Sequence, residues 1–262
     1  MEFPFSPAEK ELRDSIRTAL RSLPSPPIGE SGADGFPPGL RDALRSAGLF
    51  DLGAGGGGEP EHGLPAVLHL IEIARVSPGL AAALAVHNFL CRRYVRRSGR
   101  RSLPDGLGGW CLGERAFGEL AASPSEGGWD LNGRQVVLGP PGFLDWLIMS
   151  ASVPGPEGVK VESVFVVDRK HPGITIGPTG APGVDAEGHG IPEAVFDNVA
   201  LPAGCLLGCP GDSGIPIREI ITGADGALAG LCSGIAGFAL AHCLEAASGK
   251  CRSRHVPPAG AI

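Results

Sequence analysis

Gln135-Val136-Val137-Leu138, Asp145-Trp146-Leu147-Ile148-Met149 and Ser163-Val164-Phe165-Val166-Val167 lie in the stretch from Trp110 to Gly208, and their reading decides the fold. Each is short, apolar and rich in β-branched residues, with Gly and Pro clusters at its borders. Strands of a compact β domain have this pattern. On both sides of the stretch the apolar spacing changes to three and four residues, so helices flank it. The expected architecture is α+β: residues 1–107 mostly helical, 108–212 an antiparallel β domain, and 213–262 a partial helical domain.

Working outward towards the N-terminus, Leu12, Ile16, Leu20 and Leu23 predict a helix over 7–23, with Ser6-Pro7 as start signal and Pro24 as stop. Leu40, Leu44 and Ala47 predict a second helix, ended by Gly48 in a left-handed cap. The tract Gly53-Ala54-Gly55-Gly56-Gly57-Gly58 formally contains G-x-G-x-x-G. A helix precedes it and Glu59-Pro60-Glu61 follows, which suits a turn and not a pyrophosphate cradle. Leu64, Val67, Leu68 and Ile71 give a third helix, and a fourth begins at Leu80, Leu84 and Val86 and extends to about Arg97. Arg92, Arg93, Arg96, Arg97, Arg100 and Arg101 cluster at its end. They read either as a solvated helix terminus or as a site for an anionic partner, such as cofactor phosphates or an acidic subunit face. His87 falls on the buried side of this helix. It has no second ligand at i+3 or i+4, so it reads as a core histidine.

Towards the C-terminus, Ile215 to Lys250 reads as one long helix. Ile217, Ile221, Leu228, Leu231, Ile235, Phe238 and Leu244 give it an apolar stripe, and Gly223, Gly226, Gly230, Gly234 and Gly237 allow close packing. So apolar a helix needs neighbours on several sides. The stripe through Leu228, Leu231, Ile235 and Phe238 is expected to stay uncovered by residues 251–262, so a homo- or hetero-oligomer is expected.

The net charge of −6 argues against a nucleic-acid partner. No apolar run approaches the ~20 residues of a membrane span. Met1-Glu2-Phe3-Pro4 lacks a basic signal-peptide region, and seven irregularly spaced cysteines fit free thiols in a reducing compartment, so a cytoplasmic location is expected. Gly211-Asp212-Ser213-Gly214 with His242 has the wrong order and setting for a serine-protease triad. Cys205 and Cys209 lack the second pair that a metal site needs, and Cys251 lies in a basic run without a base in view. No catalytic residue and no metal ligand is assigned.

Read in order, the chain resembles the acyl-CoA dehydrogenase family. Glu193-Ala194-Val195-Phe196-Asp197-Asn198-Val199-Ala200-Leu201-Pro202, continuing to Leu206-Leu207-Gly208, resembles the phrase E-x-x-F-x-x-V-x-V-P-x-x-x-L-L-G that closes the family's middle domain. Val166 to Ile176 resembles the strand–turn–strand before it. Leu131-Asn132-Gly133 resembles its L-N-G hairpin, where Asn-Gly suits a type I′ turn. Gly234-Ile235-Ala236 with Ala239-Leu240 resembles the following helix. The resemblance implies a helical domain, a β domain and the first helix of a C-terminal bundle. It also implies FAD as cofactor and α,β-desaturation of an acyl-CoA or other acyl thioester, as in fatty-acid metabolism.

The same resemblance places the cofactor positions. The segment that faces the flavin corresponds to Cys111 through Leu120, which assigns Leu112, Gly113, Gly118 and Glu119 to the cofactor. Gly113 stands where the family's threonine hydroxyl meets the ring. The aromatic wall and its following hydroxyl correspond to Val137 and Gly139, and a late basic motif corresponds to Lys250 and Arg252. Asp225 stands where a substrate-binding arginine is expected. The helices that would bring the catalytic glutamate are expected to lie beyond Ile262. A protein inactive on its own follows, either awaiting a partner, or a non-catalytic thioester-binding or scaffolding subunit, or a decayed copy.

Overall fold

The computed structural model describes residues 5–22, 39–52, 64–100, 102, 104–112, 119–178, 192–211 and 217–248. Helix α1 spans Pro7–Ser22, α2 Leu40–Ser46 and α3 Leu64–Ala74. A capping box starts α1: the Ser6 N–H donates to Glu9 Oε2 at 2.7 Å, and the Glu9 N–H donates to Ser6 Oγ at 3.3 Å. After α2 the chain turns at Gly48, whose φ of +71° is the expected left-handed cap. Helix α4 (Pro78–Ala85) runs through a π-helical segment (Val86–Arg92) into α5 (Arg93–Arg97) without leaving right-handed helical angles. Ile16, Leu20, Leu40, Leu44, Ile73, Leu80 and Leu84 form the core of the helical part.

Strands β1 (Gly108–Leu112), β2 (Leu120–Ser125), β3 (Gly128–Leu138), β4 (Trp146–Pro154), β5 (Lys160–Asp168), β6 (Ile174–Pro178), β7 (Pro192–Pro202) and β8 (Leu206–Leu207) form one eight-stranded sheet. Its order is β6-β7-β3-β1-β4-β5-β8, with β2 pairing both β3 and β4. The α+β class holds, but the sheet is mixed where an antiparallel one is expected. Both β1 and β2 run against β3, and β4 then lies parallel to each of them. All other ladders are antiparallel.

One face of the sheet buries Trp129, Leu131, Val137, Leu147, Met149, Phe165, Val167 and Phe196. The opposite face packs Trp110, Trp146, Ile148, Val164 and Val166 against Cys91, Tyr94 and Val95 of the helices and Ile220. Central β4 and β5 are thus covered on both faces, which is why they read as unbroken apolar runs. Each large side chain so buried contributes on the order of 1.5–3 kcal/mol.

The expected hairpin turn at Asn132–Gly133 is corrected. Both residues lie inside β3, where the register against β7 shifts between Leu131 and Gly133 as at a bulge. Gly133 has φ +138°, and a side chain there would overlap the Glu119 carbonyl. Asn132 Oδ1 accepts from the Asn198 N–H at 2.9 Å, so a contact with β7 sets the local course, overriding turn propensity. The β2–β3 turn falls at Gly127, φ +85°, between the paired Ser125 and Gly128.

The single helix expected over Ile215–Lys250 is also corrected. Helix α6 (Ile217–Thr222) stops, and α7 (Asp225–Ala247) restarts. The buried Arg93 donates from Nη1 to the Ile220 carbonyl at 3.4 Å, and any side chain at Gly223 would overlap its guanidinium. Gly230 and Gly234 then let α7 lie close on α3. This orientation turns Leu231 and Ile235 inward against the helical core. The expected outward stripe through Leu228, Leu231, Ile235 and Phe238 is therefore kept only at Leu228: Leu231 and Ile235 turn inward and Phe238 is half-buried. The large apolar side chains left outside are Leu228, Leu240 and Leu244, 57%, 61% and 61% exposed. By length and composition alone α7 is apolar enough to cross a membrane, with mean hydropathy 1.7, contrary to the expectation that no run approaches that length. Alanine and leucine raise its hydropathy, and only 17% of its apolar window is buried among the described residues.

Candidate functional site

The antiparallel ladder between β1 and β3 places the Leu112 backbone opposite Val136, and Cys111 opposite Val137. The Arg134 N–H donates to the Glu119 carbonyl at 3.1 Å, which fixes Glu119 beside the same strand, just before β2. Gly139 follows the end of β3. Of the positions assigned from sequence, Leu112, Glu119, Val137 and Gly139 are therefore strung along one edge of β3, within about 17–20 Å at ~3.4 Å per residue. Gly113, Gly118, Lys250 and Arg252 lie outside the described residues, as do Ser213 and the glycine tract 53–58.

At Glu119, Val137 and Gly139 the chemistry present does not fit a flavin. Val137 is 1% exposed, within the sheet's interior cluster with Cys111, Leu144 and Leu147. Gly139 brings no side chain, and its backbone sits at φ +107°. Glu119 is exposed and carries a carboxylate, which opposes rather than attracts a pyrophosphate. The nearby cation, Arg134, faces Glu193 across the ladder at 3.9 Å. Beside Val137, the buried Gln135 donates from Nε2 to the Ser150 carbonyl at 2.7 Å, and its Oε1 has no hydrogen-bond partner among the described residues.

The arginine cluster at the α5 end is resolved as internal cross-links. Arg92 and Arg96 both bind Asp51, Arg97 binds Glu219 at 2.6 Å, and Arg100 donates to the Gly204 carbonyl at 3.3 Å. Arg101 lies outside the described residues. Burial holds the Arg92 pKa below its ordinary value despite the neighbouring Asp51 carboxylate.

His87, as expected, is a core histidine, and the structure adds what it does there. Its Nδ1 accepts from the Gly108 N–H at 2.9 Å, which leaves the proton on Nε2 to be donated to the Phe50 carbonyl at 3.2 Å. Burial, then the charge of Arg92, pushes its pKa down to about 3. Next to it Asn88 donates to the Leu49 and Leu84 carbonyls and accepts from the Leu52 N–H. The π-helical segment thereby ties the end of the α2 loop to the start of β1. No motif marks that role in the sequence; the apolar spacing alone places His87 inward.

Among the described residues no cluster of His, Cys, Asp or Glu could hold a metal ion. Cys91 and Cys111 are buried thiols, with burial raising Cys91 well above its ordinary pKa and pushing Cys111 up to about 12. Burial also raises Cys205, while Cys209 is exposed.

No family model matches the chain. An acyl-CoA dehydrogenase of Bacillus subtilis is 28% identical over 196 residues, 68% of this chain and 51% of that protein. A probable acyl-CoA dehydrogenase of Mycobacterium tuberculosis is 25% identical over 223 residues, 77% of this chain and 57% of that one. The chain thus spans about half the length of the curated relatives it matches. Among solved structures, butyryl-CoA dehydrogenase from Megasphaera elsdenii superposes with TM-score 0.72 at 22% identity, covering 98% of this chain and 73% of that one. Glutaryl-CoA dehydrogenase from Mycobacterium smegmatis in complex with FADH2 gives TM-score 0.71 at 20% identity, covering 92% of this chain and 65% of that one.

Proposed function

We propose, on the premise that this chain belongs to the acyl-CoA dehydrogenase family, that it is a scaffold for acyl-thioester chemistry which does not turn over substrate by itself. The observation that carries this reading is the outward face of α7. From Gly226 to Leu244 the helix has no Asp, Glu, Lys or Arg, and Leu228, Leu240 and Leu244 stand more than half exposed. Such a face calls for apolar neighbours, and the family's longer members suggest further helices as its cover. Those helices could belong to the same polypeptide or to a second chain, in a homo- or hetero-oligomer. The ligand we propose is acyl-CoA or another acyl thioester, the substrate class in the names of the acyl-CoA dehydrogenases it is similar to. The division at 107/108 and 212/213 and a cytoplasmic location belong to the same proposal.

A second reading is α,β-desaturation by the completed assembly, with the base supplied by the added helices. Glu119 is the carboxylate that the sequence assignment brings to the β3 edge, and it is exposed to solvent, not enclosed in an apolar pocket beside a bound thioester. The test pairs calorimetric titration with acyl-CoAs of graded chain length and an assay of acyl-CoA-dependent reduction of an artificial electron acceptor. Thioester binding without acceptor reduction is the expected result for the chain alone. Steady turnover by the chain alone would overturn the proposal.

A further inference from the structure

We infer that the β3 edge of this chain has been rebuilt as structure, so that FAD is not its resident cofactor and single reversions do not bring it back. This rests on the family assignment of positions 137–139 and is independent of what covers α7. A flavin ring needs an exposed flat apolar face and donors directed at its carbonyls and nitrogens. Position 137 offers neither. Its valine is 1% exposed in a cluster with Cys111, Leu144, Leu147 and Phe165. An indole there would have to displace close-packed neighbours, and overpacking of this kind strains cores.

Position 139 is closed in a different way. Gly139 sits at φ +107°, a backbone region that L side chains rarely adopt, and Leu144 Cδ2 lies 3.4 Å from where its Cβ would be. Room for a side chain exists, but the backbone disfavours a β-branched hydroxyl residue such as threonine. The missing hydroxyl is therefore a consequence of how the strand ends, and restoring it requires the turn from Gly139 to Leu144 to change course. Glu119, a third assigned position, adds negative charge where a pyrophosphate-bearing ligand would need positive charge or N–H donors.

The test is titration of the full chain with FAD, read by quenching of flavin fluorescence and by melting temperature, with the Mycobacterium smegmatis glutaryl-CoA dehydrogenase, solved in complex with FADH2, as a parallel control. Titrations are run on the chain alone and on the chain with its α7 face covered by a partner helix segment. The expected result is no quenching and an unmoved melting temperature in both arms at FAD concentrations that saturate the control. Val137→Trp and Gly139→Thr are titrated beside it. Each is expected to lower the urea midpoint without gaining flavin. Saturable FAD binding by the wild-type chain in either arm overturns the inference. So does either variant if it gains saturable flavin binding, whatever its urea midpoint. Failure of the α7 reading would show instead as no capture of any helix segment, with the flavin result unchanged.

Discussion

Gly234→Ala isolates the contact that sets the face α7 turns outward. A Cβ at position 234 would sit 2.5 Å from the Ala74 Cβ and 2.6 Å from the Ile71 carbonyl oxygen, both rigid parts of α3. Ordinary contact begins near 3.4 Å, so α7 would have to withdraw by about 1 Å. Alanine gains about 0.8–1.0 kcal/mol of helix propensity over glycine. Overpacking of a close-packed contact costs about 1–3 kcal/mol. The net expectation is destabilisation by about 1 kcal/mol. Gly226→Ala is the control, because its Cβ would meet only Val67 Cγ2 at 3.8 Å. There the propensity gain stands unopposed, and stability should rise by a few tenths to about 1 kcal/mol. Gly230→Ala should fall between the two, since its nearest obstacles are a rotatable Val67 methyl at 2.9 Å and the Val67 carbonyl at 3.0 Å. Urea denaturation followed by circular dichroism gives the three midpoints at constant slope. A Gly234→Ala midpoint equal to or above that of Gly226→Ala would refute the claimed α3–α7 packing.

His87 makes stability depend on pH. Its pKa is about 3 in the folded chain against an ordinary value of 6.5. Between those values the unfolded chain binds a proton that the folded chain does not. Stability is therefore full above pH ~6.5 and falls as pH drops towards 3, by up to about 1.4 kcal/mol per unit. His87→Gln should flatten this part of the profile in urea melts from pH 7 to 4; identical slopes would count against the buried neutral ring. Thiol mapping by maleimide labelling and mass spectrometry should modify the exposed Cys209, Cys232 and Cys243 in the native chain, and Cys91 and Cys111 only after unfolding. Native labelling of Cys111 at the rate of Cys232 would contradict the sheet packing.

What was legible in the sequence follows the range of the forces involved. Strands β4 and β5 announce themselves because burial on both faces leaves continuous apolar runs, and α1 because its Ser6-Pro7 start signal and apolar spacing are local. The break between α6 and α7 depends on Arg93, which reaches the Ile220 carbonyl from 127 residues away, and no window around Gly223 contains that information. Asn132–Gly133 misled in the opposite sense. Locally it is a strong turn signal, yet the Asn198 N–H and the Glu119 carbonyl hold it inside a strand. The arginines after α4 suggested either solvent or an anion, whereas their acceptors, Asp51 and Glu219, lie far off in sequence and close in space. At the candidate site, aligned motifs did bring Leu112, Glu119, Val137 and Gly139 to one strand edge. That Val137 faces the interior and Gly139 takes a glycine backbone emerges only from the fold.

Whether the outward face of α7 demands an apolar cover is decided by sedimentation velocity at micromolar concentration, with binding of a fluorescent apolar dye to the same samples. The wild-type chain is expected to associate, or to bind dye strongly if held as a monomer, because Leu228, Leu240 and Leu244 are 57%, 61% and 61% exposed in the stretch Gly226–Leu244, which carries no Asp, Glu, Lys or Arg. Leu228→Glu, Leu240→Glu and Leu244→Glu combined should give a folded monomer that neither associates nor binds dye. A wild-type chain that sediments as a clean monomer without dye binding would contradict the account.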